Sequence, residues 1–443
     1  MGRARRKQTA ERRADLLTRY VDLQGRLWSY WAEIAGAAAR DFAKRPRRVP
    51  RGSSPPEDTR AIHALWIDCA ERAYARVVRS KGFCGLQANL INTSNAIRAA
   101  AGGPSHGLHD SPDPWRAAQQ AHSAGCSNKQ VVWSKDKVTL HRYQRIARAA
   151  AVRPVLICFA LVNRPYVLDL QPDRSFVRGL LAAGLDVYLI DWGYPDRDDC
   201  ALGLRDYIEG YLRSCVRHIL REHGTDSLNL IGICQGGTFS LCYTALHPEH
   251  IHTLTTIATA VDFQTPPDLL SKWSRGLDAR LLARAGNMPG ELVNALYLSL
   301  APFRLTQHKY VELLEQAHDA RYLERFVRME EWRRDCPDQA ATALSQFVKW
   351  FYQENRLVRG TLRLGRCKVD LANIVQPVLN IYAARDHIVP ACAATPLQRM
   401  IGSSDYTAFA SDTGHIGIFV SRRGVGEVPQ RIVEWLRTRN GDA

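Results

Sequence analysis

No stretch of this chain approaches the roughly 18 consecutive apolar residues that a bilayer-spanning helix requires. Its longest apolar runs have the length of strands, as in PVLICFALV, so a membrane-spanning protein is not expected. The sequence also lacks a CxxC pair and any metal-type Cys/His cluster. Its 11 Cys are scattered, which argues against a secreted disulfide framework and a structural zinc site, and for a reducing cytoplasm. The opening residues MGRARRKQTAERR lead into the amphipathic ADLLTRYVDLQGRLWSYW instead of an apolar core segment, and no signal peptide is read. No internal repeat stands out. Acidic residues are outnumbered, 44 Asp and Glu against 60 Lys and Arg, for a net charge of +16. Such a balance points to anionic partners: a phosphorylated substrate, an acidic protein, a nucleic acid or a charged surface. Charge alone does not choose among them.

What is present is enough apolar sequence, 46% of 443 residues, for one large core and an appendage. Residues 13–44 carry Leu16, Leu17, Tyr20, Leu23, Leu27, Trp28 and Trp31 at helical spacing, RPRRVPRGSSPPEDT then reads as a linker, and a second helical stretch covers about 60–100. Gly102 to Pro114 is a further break. The main boundary is placed there, dividing residues 1–112, a helical extension with linkers, from a domain over 113–443.

In that second part strands alternate with helices, which implies an α/β fold with a doubly wound, mostly parallel sheet. The strand candidates are 155–161, 187–191, 228–233, 254–258 and 378–383, with a short one at 406–410. Between 266 and 366 the strand signal gives way to aromatic-rich helical sequence, read as a cap inserted over the site. Trp332, Phe347, Trp350, Phe351 and Tyr352 in it suit a water-excluding cover, or simply the cap's own core.

The most informative segment is LNLIGICQGGTFSLCYTAL. It reads as a buried strand, a tight turn and a helix in succession, with Cys234 at the turn: a nucleophile elbow built on a thiol. Gly232, Gly236 and Gly237 allow the close backbone approach such a turn needs. The helix N-terminus favours a thiolate, and the Gln235 N–H points to where an oxyanion would form. A second oxyanion donor is expected from the loop after the first strand, near Leu161 and Val162. Asp386 follows the strand PVLNIYAA, and His415 sits in the late loop SDTGHIGIF. Nucleophile, acid and histidine thus occur in the chain order of α/β-hydrolases. Asp262 and Asp412 are the fallback acids.

Four long motifs carry a resemblance to a known family: ALVNRPYVLDLQPDRSFVRGLLAAGLDVYLIDWGYPDRDD, LIGICQGGTFSLCYTALHPEHI, YAARDHIVP and TGHIGIFVS. The chain resembles the polyhydroxyalkanoate synthases, in particular the class III catalytic subunit, over about 131–436. The resemblance implies an α/β-hydrolase fold, Cys234 as acylated nucleophile, His415 as base and Asp386 as its carboxylate partner. It further implies a 3-hydroxyacyl-coenzyme A substrate, a growing polyester chain, a homodimer and cytoplasmic storage granules. No cofactor and no metal are expected, coenzyme A being part of the substrate. Within the extension, residues of about 60–100 are similar to part of the accessory subunit of the same system, which suggests a fusion that supplies in cis what a separate accessory subunit would supply.

Two other readings are kept. One is a cysteine-nucleophile hydrolase of thioesters, esters or lactones on the same fold. The other is a granule-coat or tethering protein whose basic runs, Arg3, Arg5, Arg6, Lys7, Arg12 and Arg13, then Arg45, Arg47 and Arg48, hold polyanions. No nucleic-acid-binding motif accompanies those runs, so nucleic acid is not an expected partner.

Overall fold

The computed structural model describes residues 2–45, 55–100, 125–150, 153–316 and 318–440. The sequence-predicted linker and the break at 102–114 lie largely or wholly outside these. So do Arg47 and Arg48, and the side chains of Arg3, Arg5, Arg6 and Lys7 are likewise outside the description.

The catalytic half is built on an eight-stranded sheet of order β1-β2-β4-β3-β5-β6-β7-β8. The strands are β1 (Lys129–Lys135), β2 (Val138–Tyr143), β3 (Val155–Cys158), β4 (Val187–Asp191), β5 (Leu228–Ile233), β6 (Ile251–Ile257), β7 (Val378–Ala383) and β8 (Tyr406–Ser411). From β4 through β8 every pairing is parallel. Apolar residues run almost without interruption through the central strands because both faces are covered, and the two-residue period of a strand sorts them. Val155, Ile157, Val187, Leu189, Ile231 and Ile233 pack to one side. Leu156, Cys158, Tyr188, Ile190, Leu228 and Leu230 pack to the other.

The hairpin β1–β2 is antiparallel, its two-residue loop Asp136-Lys137 made possible by a positive φ at Asp136. The strand reading passed over it. Its outer strand is largely exposed and rich in Lys and Gln, so it carries none of the continuous apolar signal of the inner strands. His141 of β2 lies between this edge and Asp191, and its pKa is pushed down to about 4 by burial and by the neighbouring Lys129 and Arg164 charges, against the pull of Asp191. The native state therefore refuses a proton that an unfolded chain accepts near 6.5, so stability falls as pH drops from 6.5 toward 4, by at most about 3 kcal/mol. His141→Gln should flatten the acid limb of a Tm-against-pH curve across that window; an unaltered slope would disprove the assignment.

Three helices precede the sheet: α1 (Gly2–Lys44), α2 (Pro55–Val77) and α3 (Lys81–Ala100). The single helical stretch expected over 60–100 is two helices, because Ser80 accepts the Phe83 N–H at 3.2 Å and starts a new helix. Ile34 and Ala38 of α1, Ala70, Ala73 and Tyr74 of α2 and Phe83 of α3 share one apolar cluster. Trp31 stacks on Tyr74 at 5.6 Å and Tyr30 meets Phe83 edge-on at 5.4 Å.

This helical unit is not free-standing. Leu269, Leu270, Trp273 and Leu300, from the sequence between β6 and β7, complete the same cluster. Trp273 Nε1 donates to Val78 O at 3.3 Å, Asn92 exchanges two hydrogen bonds with Gly276 and Asp278, and the Arg304 N–H donates to Glu71 at 2.8 Å. Tyr74 also donates to Ser299 O, and Arg98 to Asn287 O. The segment they grip holds helices α4 (Leu269–Ser274), α5 (Ala279–Arg284), α6 (Gly290–Leu298), α7 (Lys309–Glu315), α8 (Ala320–Arg334) and α9 (Ala341–Phe347), and it lies over the carboxyl ends of the strands.

Candidate active site

Strand β5 ends at Ile233 and a helix begins at Gln235, so Cys234 must reverse the chain by itself. It does so with φ 53° and ψ −121°, a conformation that costs a side-chain-bearing residue on the order of 1–3 kcal/mol. The surrounding glycines are steric necessities. A Cβ at Gly232 would sit 2.6 Å from the Gly237 Cα; at Gly236 it would strike the Cys158 and Phe159 carbonyls, and at Gly237 the Thr259 hydroxyl. Cys234 N–H donates to Ile257 O at 2.9 Å and its carbonyl accepts from Gly237 at 3.0 Å. The strained turn is thereby locked between two strands and a helix.

Asp386 and His415 come from loops after β7 and β8. Asp386 Oδ2 and His415 Nδ1 are 2.7 Å apart, with side-chain exposures of 0% and 6%. The other carboxylate oxygen accepts the Ile388 and Val389 N–H groups at 2.8 and 2.9 Å, which fixes the plane of the carboxylate behind the ring. Burial pushes the His415 pKa down, but the Asp386 charge, the Cys234 sulfur and hydrogen bonds to both push harder, and the net position is well above the usual histidine value. The structure thus brings together three residues spread over 182 positions of sequence.

The fallback acids are engaged elsewhere. Asp262 accepts from the Gln264 N–H at 3.0 Å and from Asn355 at 2.9 Å, holding a turn. Asp412 is exposed between Arg385 and Arg423. Of the expected oxyanion donors, the Leu161 N–H points to Gln235 Oε1 at 3.1 Å, so the two residues tie the loop after β3 to the elbow. Gln339 holds the same loop through Leu161 O at 3.1 Å.

Two tyrosines lie near the thiol: Tyr352, which is among the cap aromatics singled out from the sequence, and Tyr297, which is not. Tyr297 of α6 and Tyr352 both lie within electrostatic reach of Cys234, and their hydroxyls are pushed upward chiefly by burial. Both side chains are half-buried. Asp268 stands beside them, its carboxyl raised to about 6 by burial. Cys336 is a second thiol near Tyr297, pushed up to about 11 for the same reason. Of the five cap aromatics singled out above, Phe347 and Phe351 pack with Phe263 in the core, Trp332 donates to Arg164 O at 2.8 Å, and Trp350 lies under Arg356. Tyr352 packs on Phe263 and Phe347 as well, at 5.2 and 5.9 Å, and lies within electrostatic reach of Cys234. Nothing in spacing separates it from its neighbours, since the helix direction there is set by packing against α4.

The sheet order and the cysteine elbow under a helical cover define an α/β-hydrolase-fold protein, and residues 153–421 match the family described as alpha/beta hydrolase fold. Residues 118–180 match the N-terminus of poly-beta-hydroxybutyrate polymerase, and residues 1–102 match the poly(R)-hydroxyalkanoic acid synthase subunit family. The chain is 50% identical to the poly(3-hydroxyalkanoate) polymerase subunit PhaC of Allochromatium vinosum, an alignment covering 72% of this chain and 91% of that protein. It is 48% identical to the PhaC of Thiocystis violacea over 72% and 91%, and 42% identical to that of Synechocystis sp. over 71% and 85%. The chain belongs to the poly(3-hydroxyalkanoate) polymerase family, class III type, and carries the accessory-subunit relationship in the same polypeptide. That relationship spans all of α1–α3, wider than the 60–100 segment on which the resemblance rested.

Proposed function

We propose that this protein polymerises 3-hydroxyacyl-coenzyme A, of short chain such as 3-hydroxybutyryl-coenzyme A, into a polyester with release of coenzyme A. The observation that carries the reading is the buried His415–Asp386 pair facing a cysteine held at the elbow. The Cys234 sulfur attacks the thioester carbonyl while His415 takes the thiol proton. The Gln235 and Val162 N–H groups receive the oxyanion, since the Leu161 N–H is occupied. Collapse breaks the carbon–sulfur bond to coenzyme A, whose sulfur leaves with the proton stored on His415. Sulfur-to-sulfur transfer is near thermoneutral, so no other energy source is needed. In elongation the 3-hydroxyl of an incoming 3-hydroxyacyl-coenzyme A gives its proton to His415 and attacks the acyl thioester; the ester forms as the Cys234 carbon–sulfur bond breaks and the sulfur takes the proton. The lengthened chain, now a coenzyme A thioester, re-acylates Cys234 or a dimer mate's thiol with release of coenzyme A. Tyr297 and Tyr352 support the reading by closing the site against water, which would otherwise release free acid.

Incubating pure protein with 3-hydroxybutyryl-coenzyme A should yield insoluble polymer; soluble 3-hydroxybutyrate as the main product would favour a cysteine hydrolase instead.

The first hundred residues act as an accessory subunit in cis. Ile388, two residues from Asp386, packs against the same cluster as α1 and α2, so those helices support the loop that holds the triad carboxylate. Tethering keeps that contact at an effective concentration of about a millimolar. Removing residues 1–100 should lower specific activity at least about tenfold and expose Trp273, and adding the excised fragment in trans should restore activity. Unchanged activity in the truncated enzyme would refute the role.

No helix among the described residues is long and apolar enough to cross a membrane. Attachment to a cytoplasmic polyester granule instead uses α1, where Leu17, Val21 and Trp28, the last 72% exposed, lie on one outward face.

A further inference from the structure

At the far end of the helix that starts under Cys234, Gln235–Leu246, the sequence HPEH turns back on itself. His247, Glu249 and His250 each bring one donor atom to within 4.8 Å of the others. Glu249 Oε1 is 3.6 Å from His247 Nδ1 and 3.7 Å from His250 Nε2. Donors about 2.0–2.1 Å from a tetrahedral ion stand about 3.3 Å apart, so Glu249 needs a shift of a few tenths of an ångström toward each ring, and the two ring donors, within 4.8 Å of one another, need to close by up to about 1.5 Å.

The remaining ring nitrogens are held from behind. His247 Nε2 meets both oxygens of Glu209 at 2.9 and 3.1 Å, and His250 Nδ1 meets the fully buried Tyr243 hydroxyl at 2.9 Å. A carboxylate only accepts, so Glu209 holds the Nε2 side of the ring as a donor and leaves the Nδ1 side facing Glu249. An ion bound there takes Nδ1 and the Glu249 carboxylate as ligands. A carboxylate behind a ligating histidine is the recurrent outer arrangement of metal sites. A divalent ion is balanced by Glu249 and Glu209 and the site lies at a helix C-terminus, while Arg213, 3.6 Å from Glu209, and Arg217 are the cations that face His250.

We propose that His247, Glu249 and His250 bind a divalent transition ion of the zinc class, with water completing the shell, about 20 Å along the helix from the thiol. Through Glu209 the ion ties the nucleophile helix to the π-helical stretch Asp206–Leu212 beside it. It is a structural site that the cysteine-based expectation of no metal passed over, because the ligands are imidazole and carboxylate.

The full chain, stripped with chelator, is titrated with zinc chloride by calorimetry, with bound metal counted after dialysis. The double variant His247→Asn/His250→Asn should bind one equivalent fewer, Glu209→Gln should bind that equivalent about 10–100-fold more weakly, and zinc should raise the Tm of the parent and not of the double variant. His218→Asn, which alters a separate surface pair with Glu222, should change nothing. Equal stoichiometry in parent and double variant, or loss of the equivalent in His218→Asn, overturns the proposal and leaves His247 as a hydrogen-bonding partner of two carboxylates.

Discussion

Cys234→Ala should abolish release of coenzyme A from 3-hydroxybutyryl-coenzyme A, by at least about 10⁴-fold, while leaving the melting temperature within a degree or two. The first half follows from chemistry: no other group in the elbow can carry the acyl chain as a thioester. The second follows from geometry. Alanine keeps the Cβ and the positive φ, and the hydrogen bonds that lock the turn are made by the backbone, so folded-state strain and contacts barely change. Quantifying free thiol with a chromogenic disulfide, alongside a thermal melt, checks both. Cys336 stands near the same tyrosine and provides the sharpest challenge: retention of more than a hundredth of the parent rate would transfer the nucleophile's role to it.

Asp386→Asn should lower turnover on the order of 10⁴-fold, the loss typical of this change in a hydrolase triad. One oxygen of Asp386 is fixed by the Ile388 and Val389 N–H groups. Asparagine keeps that oxygen in place and so must turn its NH₂ toward His415 Nδ1. Nδ1 then accepts, the proton moves to Nε2, and the nitrogen facing Cys234 can no longer take a proton. Removing the carboxylate also removes the strongest influence raising the His415 pKa, so burial prevails and the ring becomes neutral at lower pH. Elongation, which needs His415 as a base toward a weakly acidic hydroxyl, should suffer more than the first acylation. Rapid-quench measurement of both steps checks this, and equal losses would contradict the division.

Much of this was open to reading in the chain itself. The strands at 155–158, 187–191, 228–233 and 378–383 announce themselves because burial on two faces demands unbroken apolar runs. The elbow is legible for a related reason: glycines at 232, 236 and 237 have no tolerated substitute where backbones nearly touch. The β1–β2 hairpin and the helix break at Ser80 were not legible, since an edge strand needs only weak alternation and a cap needs only one hydroxyl.

The sequence alone placed a candidate thiol, base and acid in hydrolase order, because such chemistry needs particular residue types in a particular order along an α/β chain. Which side chains enclose that chemistry was decided only by tertiary structure. Phe351 and Tyr352 look alike in the sequence and both pack on Phe263, and that Tyr352 and Tyr297 also stand near the thiol follows from how the cap helices are seated. The seating of α1–α3 on the segment covering the site, and of Ile388 against them, was likewise decided there, because an apolar helix face states that it will be buried and not what will bury it.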